Sequence, residues 1–406
     1  MAQRPTHTSP LSRRSEPAER LTAATAHLVA AEGIAAASAR DIAAEAGVSP
    51  SAINYNFGGI ERLLSSAFAR GAGETAAWMA ARETEVMALP RNGEGASLAL
   101  EHVLAEWTGP ARPLALLYQE ALTTEAADDW IGLWRDFWLR LAKAFGLSEA
   151  QGRLLHVFFE SEALYHLSRW SPALERAALA EMAGHFAAAW LGASPRPALG
   201  LTALAEMSAG ARPHGSLTPA ALQIAEAAAK VVEVVGLPGL THRAVAHKAG
   251  LTTGAVTHHF RTVDDLVAGA IRGQVQAIGQ EADTSLTPVD DIRSVELFLE
   301  ATRRHAVNEA AANPSRRRRR LFLATVRRPE LASAGAVIRF SHGGTMRQVL
   351  ERVTGEPAEQ LTLPAGVLSR LLSALWVATA GDPDPQATRI AIIEHLLSAA
   401  PWSRQP

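Results

Sequence analysis

Cysteine is absent from the chain. That single absence excludes disulfides, zinc–thiolate centres and a cysteine nucleophile. No run approaches eighteen consecutive apolar residues, so the sequence offers no membrane-spanning helix. The opening residues, MAQRPTHTSPLSRRSEPAER, are basic but lack an apolar stretch and do not read as a secretory signal. A cytoplasmic location is expected. The net charge of −2 excludes a histone-like polycation but leaves room for a local basic surface. There is no nucleophile elbow and no phosphate-cradling glycine loop, so neither an enzyme nor a cofactor is expected. Lysine is scarce and alternating β-branched runs are nearly missing. Alanine, leucine, glutamate and arginine dominate instead, which is the composition of an all-α protein. With 48% apolar residues over 406 positions, two to four domains are affordable.

What is present is a repeat. Ile42-Ala-Ala-Glu-Ala-Gly-Val-Ser49 lies over Val245-Ala-His-Lys-Ala-Gly-Leu-Thr252 at an offset of 203 residues. The same offset pairs Gly33 with Gly236, Arg40 with Arg243, Gly47 with Gly250, Ala52 with Ala255, Phe57 with Phe260 and Leu63 with Leu266. About a dozen identities fall in some 47 ungapped positions. A repeat at half the chain length indicates duplication of a whole protein rather than a solenoid.

Each copy reads as a helix-turn-helix. In the first, Leu21, Ala24, Leu28 and Ala31 stripe one helix, and Gly33 ends it. Ser38 with Asp41 forms a capping box for a helix from Ala39 to Ala46. Gly47 makes the turn and Val48 plugs it. Ser49 is expected to cap the third helix, with Pro50 at its first position. Ile53 and Phe57 anchor that helix, leaving Ser51, Asn54, Tyr55 and the adjacent Asn56 for phosphates and base edges. In the second copy Thr241 and Thr252 are the caps, Gly250 the turn, and Val256 and Phe260 the anchors. The DNA-facing candidates are Arg40, Ser49, Pro50, Ser51, Asn54, Tyr55 and Asn56 in the first copy. Those of the second are Arg243, Lys248, Thr252, Thr253, Thr257, His258 and His259.

The stretch Asp41 to Leu64, and again Ala244 to Val267, resembles the DNA-binding signature of the tetracycline-repressor (TetR) family. The resemblance covers about 50 residues in each half. It implies three N-terminal helices that bind double-stranded DNA and a helical body that binds a small-molecule effector and dimerises. It also implies a repressor released by that effector. The family often has a lysine where this chain has Ile60 and Val263, and Tyr55 matches a phosphate-contacting aromatic whose counterpart here is His258.

The expected organisation is a basic arm at 1–19, DNA-binding domains at 20–66 and 220–269, bodies at 67–191 and 270–402, and a Gly/Pro/Ser-rich linker at 192–219 with a short helix at 200–208. The arm carries Arg4, Arg13, Arg14 and Arg20, suited to a minor groove. Bundle helices are expected at 149–168, 172–191, 364–380 and 386–399. Fusion raises the effective concentration of one half for the other to about millimolar, so a monomeric pseudo-dimer is expected. The two recognition helices differ, which predicts an operator of two unlike half-sites. Segment 241–260 holds Arg243, Lys248 and four histidines without an acid, so the second head should attract phosphate more strongly.

Trp107, Trp130, Trp134, Phe137 and Trp138 stand at helical spacing. They read either as core or as the lining of a pocket for an apolar or aromatic effector. His102/Glu106, His156/Glu160 and Glu162/His166 read as i,i+4 pairs rather than a metal site. Arg316 to Arg320 reads as a solvated helix start or a site for an acidic partner. The rival function is a ligand-binding helical protein or an enzyme in which one or both helix-turn-helix units no longer bind DNA.

Overall fold

A computed structural model of the chain describes residues 16–34, 37–124, 127–210, 218–235, 239–263, 265–270, 273, 291–309 and 312–399. Arg4, Arg13, Arg14 and Gly236 lie outside the described residues, as does the side chain of Arg317. Among the described residues the regular structure is helical, with no strand. No described helix is long and apolar enough to cross a membrane. The chain divides into two compact units, residues 1–77 with 113–127 and residues 78–112 with 128–406.

The first unit contains α1 (Glu16–Glu32), α2 (Ala39–Glu45), α3 (Ser51–Phe57) and the first part of α4 (Ile60–Val86). Its core is Leu21, Val29, Ile42, Ala43, Ile53, Leu63 and Phe68, all buried. The buried stripe of α1 is not quite the expected one. Leu28 is half-buried and Ala31 exposed, while Thr22, Thr25 and Val29 turn inward. The threonines manage this because their hydroxyls donate back to the carbonyls of Ala18 (2.9 Å) and Leu21 (2.7 Å).

The second unit holds α5 (Gly93–Thr108), α7 (Asp128–Ala144), α8 (Glu149–Tyr165), α9 (Pro172–Phe186) and α10 (Leu201–Ser208). A π turn at Ala187–Leu191 extends α9. Helix α6 (Arg112–Ala121) begins at the last residue of one segment of this unit. The second copy follows as α11 (Pro219–Val235), α12 (His242–Ala249) and α13 (Thr253–His259). Its body comprises α14 (Val295–Val307), α15 (Ala312–Val326), α16 (Ala332–Ser341), α17 (Gly344–Thr354), α18 (Thr362–Ala378) and α19 (Pro385–Ala399).

Helices of the two repeats interleave in this unit. α8 packs on α7, α18 and α19, and α9 packs on α18 and α10. Apolar faces explain the packing: Leu154, Leu155, Phe158 and Phe159 on α8, and Leu368, Leu371 and Leu375 on α18, are buried. Gly152 permits close passage, since a Cβ there would come within 2.9 Å of the Ala142 Cβ. The segment after α9 is fastened rather than free. Glu181 accepts from the backbone N–H groups of Leu199 (2.7 Å) and Thr202 (2.8 Å), and Arg347 donates to Glu206 at 2.8 Å.

A buried polar network also crosses between the repeats. Arg370 on α18 donates through Nε to Glu162 on α8 at 2.6 Å, and through its terminal nitrogens to the carbonyls of His342 (3.0 Å) and Arg339 (2.9 Å). Arg339 lies 3.6 Å from Glu162 and 3.4 Å from Glu175. It also donates to His166 Nε2 at 2.7 Å, which makes that nitrogen an acceptor and the ring neutral. Burial, then the charges of Arg339 and Arg370 against the pull of Glu162, lower His166 to about 4. At another point Asp382 receives Arg135 at 2.9 Å and Arg153 at 3.0 Å. The Glu162/His166 pair is therefore one part of a larger cluster, while His156 and Glu160, 3.5 Å apart, are fully buried. His102 does not pair with Glu106. It meets Glu85 at 2.9 Å, while Glu106 takes Arg82 at 3.1 Å, because α4 and α5 bring these groups closer than one helical turn does.

Candidate nucleic-acid interface

Both heads are built by the same local chemistry. In the first, the Ser38 side chain accepts from the Asp41 N–H at 3.2 Å and its hydroxyl donates to the Asp41 carboxylate. The hydroxyl thus takes the place of the backbone N–H expected from a full capping box. α2 ends one residue short of the expected limit, with Ala46 as its cap. Gly47 turns the chain at φ +64°, and the Val48 N–H reaches the Ala43 carbonyl at 2.9 Å. Ser49 does not cap α3. Pro50 takes helical angles in the cap position, and the Ser49 hydroxyl meets that of Ser51 at 2.8 Å instead.

In the second head both caps form as expected. Thr241 accepts from the Ala244 N–H at 3.1 Å and Thr252 from the Ala255 N–H at 3.2 Å. Gly250 turns at φ +67°, and the Leu251 N–H bonds to the Ala246 carbonyl at 2.9 Å. Beyond α13, Thr262 and Asp265 cap the stretch 265–270 reciprocally, with both bonds at 3.0 Å.

The outward faces then differ. On the first head Arg40, Ser49, Pro50, Ser51, Asn54 and Tyr55 are exposed, and Tyr55 is 90% exposed. An exposed tyrosine on a short helix anchored by buried Ile53 is free to reach a phosphate or base edge. Asn56 is half-buried and donates to the Ala52 carbonyl at 2.8 Å, which ties it to its own helix. On the second head Arg243, Lys248, Thr252, Thr253, Thr257, His258 and His259 are all exposed. Thr257 donates to the Thr253 carbonyl at 2.9 Å, and the His258 and His259 rings lie 5.2 Å apart.

Charge divides the heads further. Lys230, Arg243, His247 and Lys248 border a groove of about 490 Å³ between α11 and α12. Lys230 and His247 were not singled out from the sequence. The usable signal was the repeat alignment itself, which sets Lys230 against His27 and His247 against Ala44. In the first head His27 instead bonds Glu45 at 2.6 Å.

The aromatic residues occupy the second unit. Trp107, Trp130, Trp134, Phe137 and Trp138 are each no more than 1% exposed. Trp134 sits 4.0 Å from Phe159, 4.9 Å from Trp107 and 5.9 Å from Trp78, ring centre to ring centre. These rings are packed on one another.

The arginine run lies inside α15, not at its start. Arg316 and Arg320 are exposed, but Arg319 is buried and Arg318 donates to the Ile338 carbonyl at 3.0 Å. Arg112 of the first repeat likewise donates to the Leu167 carbonyl and, at 2.8 Å, to the Val326 carbonyl. Burial, with the charges of Arg169 and Arg327, lowers Arg112 to about 10.

Residues 21–67 and 224–270 each match the family of bacterial regulatory proteins described as the tetR family. The two matches stand at the same 203-residue offset as the repeat. No curated protein matches the chain. The chain therefore carries the DNA-binding unit of the tetR family of bacterial regulatory proteins twice, in tandem on an all-α scaffold.

Proposed function

We propose that the chain is a transcriptional repressor working as a single-chain pseudo-dimer on an operator with two unlike half-sites. DNA binding by the family rests on the two matched units. The finer reading is carried by one observation: the same capped scaffold presents Ser51, Asn54 and Tyr55 outward in one head and Thr253, Thr257, His258 and His259 in the other. A homodimer must read a palindrome because its symmetry forces the two half-sites to match. Two unlike heads in one chain carry no such constraint. The packing of α8 and α9 on α18 and α19 supports pairing of the halves within one chain. The linker keeps the effective concentration of each half for the other at about millimolar.

For the effector we propose a small apolar or aromatic molecule taken up by the first repeat's body; because Trp107, Trp130, Trp134, Phe137 and Trp138 are buried and packed on one another, it would have to part those rings to enter among them. Selection of binding sequences from random duplexes, followed by footprinting, tests the reading. It is expected to return an asymmetric site protected over both halves by a one-chain species. A perfect inverted repeat, or a stable two-chain species with the halves paired in trans, would sink it. Failure to shift any duplex favours the rival, a ligand-binding protein that has left DNA.

A further inference from the structure

We propose that the groove between α11 and α12 is a phosphate-binding site that only the second head possesses. The proposal rests on the reading that this head meets nucleic acid. The groove measures about 490 Å³, and Lys230, Arg243, His247 and Lys248 border it over a floor that includes Val231 and Ala244. All four basic residues are exposed, and no ion pair ties any of them to a described carboxylate. The walls are fixed: Gln223 on α11 donates to the Ala249 carbonyl on α12 at 3.0 Å, and Val245 and Ala246 hold α12 in the core. The cations therefore stand on a rigid frame, which spares a ligand the cost of assembling them.

Two of the three lysines in the whole chain border this one groove, in a protein that otherwise uses arginine for positive charge. Lysine presents a compact ammonium suited to a phosphate oxygen approached from several directions. The first head shows what the same scaffold looks like without the site. There the equivalent positions are His27, Arg40, Ala44 and Glu45, with Asp41 where the second head has Ala244. The His27–Glu45 contact at 2.6 Å spans the place that Lys230 and Lys248 leave open. Three changes of charge in one groove distinguish the copies, while the caps and turn glycines are kept. The chemistry that fits is a pair of neighbouring phosphates. These come either from the duplex backbone beside the bases that α13 reaches or from a free polyphosphate.

The test compares wild type with K230Q/K248Q, and with R316Q/R320Q as a control that removes two exposed charges elsewhere. Anisotropy with a fluorescent duplex of unrelated sequence is read across a salt series, and calorimetry is run with inorganic tripolyphosphate. If the groove takes duplex phosphates, K230Q/K248Q lowers the slope of log affinity against log salt by about 1.8 and weakens binding about 30-fold at 0.15 M salt. The control keeps the wild-type slope. If it takes free polyphosphate, tripolyphosphate binds wild type and the control but not K230Q/K248Q, and the duplex slope is unchanged. Either result supports the site, provided K230Q/K248Q melts as wild type does. Unchanged slope together with unchanged tripolyphosphate binding overturns it, as does an equal loss in R316Q/R320Q. If wild type binds no duplex, the DNA reading fails, and the tripolyphosphate titration alone decides the groove.

Discussion

Replacing Arg370 by methionine isolates the network that joins the two repeats. Arg370 is 2% exposed, and its guanidinium serves three acceptors: Glu162 at 2.6 Å, the His342 carbonyl at 3.0 Å and the Arg339 carbonyl at 2.9 Å. It also lies 4.6 Å above the Tyr165 ring. Methionine keeps much of the stem but none of the donors. Stranding one partner of a buried pair costs about 3–5 kcal/mol, and each carbonyl left without its donor adds about 1 kcal/mol. The expected loss is about 6 kcal/mol. If the second unit melts as one body of roughly 300 residues, its unfolding entropy is about 0.6 kcal/mol/K, and the melting temperature falls by about 9 °C.

The pH dependence carries a sharper signature. In wild type, burial alone would raise the Glu162 pKa, but the charges of Arg370 and Arg339 overcome it and hold the carboxyl well below its ordinary value. That contribution is present above the unfolded value near 4.5 and is lost as pH falls through the folded one. Without Arg370, burial is less opposed and the folded value moves up. The variant is then relieved as pH falls and Glu162 takes a proton. Calorimetric scans should therefore show the gap between R370M and wild type narrowing from pH 7 to pH 5. E162L/R370M, with no stranded carboxylate, should recover part of the loss. A gap under about 3 °C at pH 7, or one that stays constant with pH, refutes the assignment of this network as the polar centre of the unit.

Other consequences are equally direct. Desolvation lowers His305 and His342 as well as His166, and His166 reaches about 4. The unfolded chain then binds more protons between about pH 6.5 and 4, so stability is full above that window and falls through it, as melting at pH 7 and pH 5 will show. Ser38→Ala removes the α2 cap and should cost about 1 kcal/mol, whereas Ser49→Ala, which removes no cap, should melt within about 0.5 kcal/mol of wild type. Trp134→Ala opens a void beside Trp78, Trp107 and Phe159. It should cost about 3–5 kcal/mol and flatten the near-ultraviolet dichroism of the coupled indoles; an unchanged spectrum would contradict the packed aromatic core.

The heads were legible because their information is local. A turn glycine, a cap three residues upstream of an N–H and an apolar anchor every four residues are all set within one stretch, and the second copy repeats the pattern in register. The Ser49 expectation failed within that same grammar, since Pro50 already meets the helical angles and took the cap position. Arg319 was misjudged for a different reason. Ala312, Arg319 and Phe322 share one helical face at spacings of seven and three, so the sequence held its burial, but the charge of the run obscured the phase. The Glu162–Arg370 bond joins residues 208 apart. No periodicity reports a pairing of that kind, because it depends on how separate helices meet. The lysine groove lies between, visible only once one copy is compared with the other position by position.

The cross-repeat network also bears on which repeats can pair. Helices α8 and α18 are both 17 residues long. Aligned end to end, they set Glu162 against Leu375 and Arg370 against Val157. The bridge therefore has no mirror image. Two first repeats brought together would each bury Glu162 without Arg370, and two second repeats would each bury Arg370 without Glu162. Complementary rather than identical charges on the two faces thus disfavour the pairing of like repeats and favour the unlike pair that a single chain already contains.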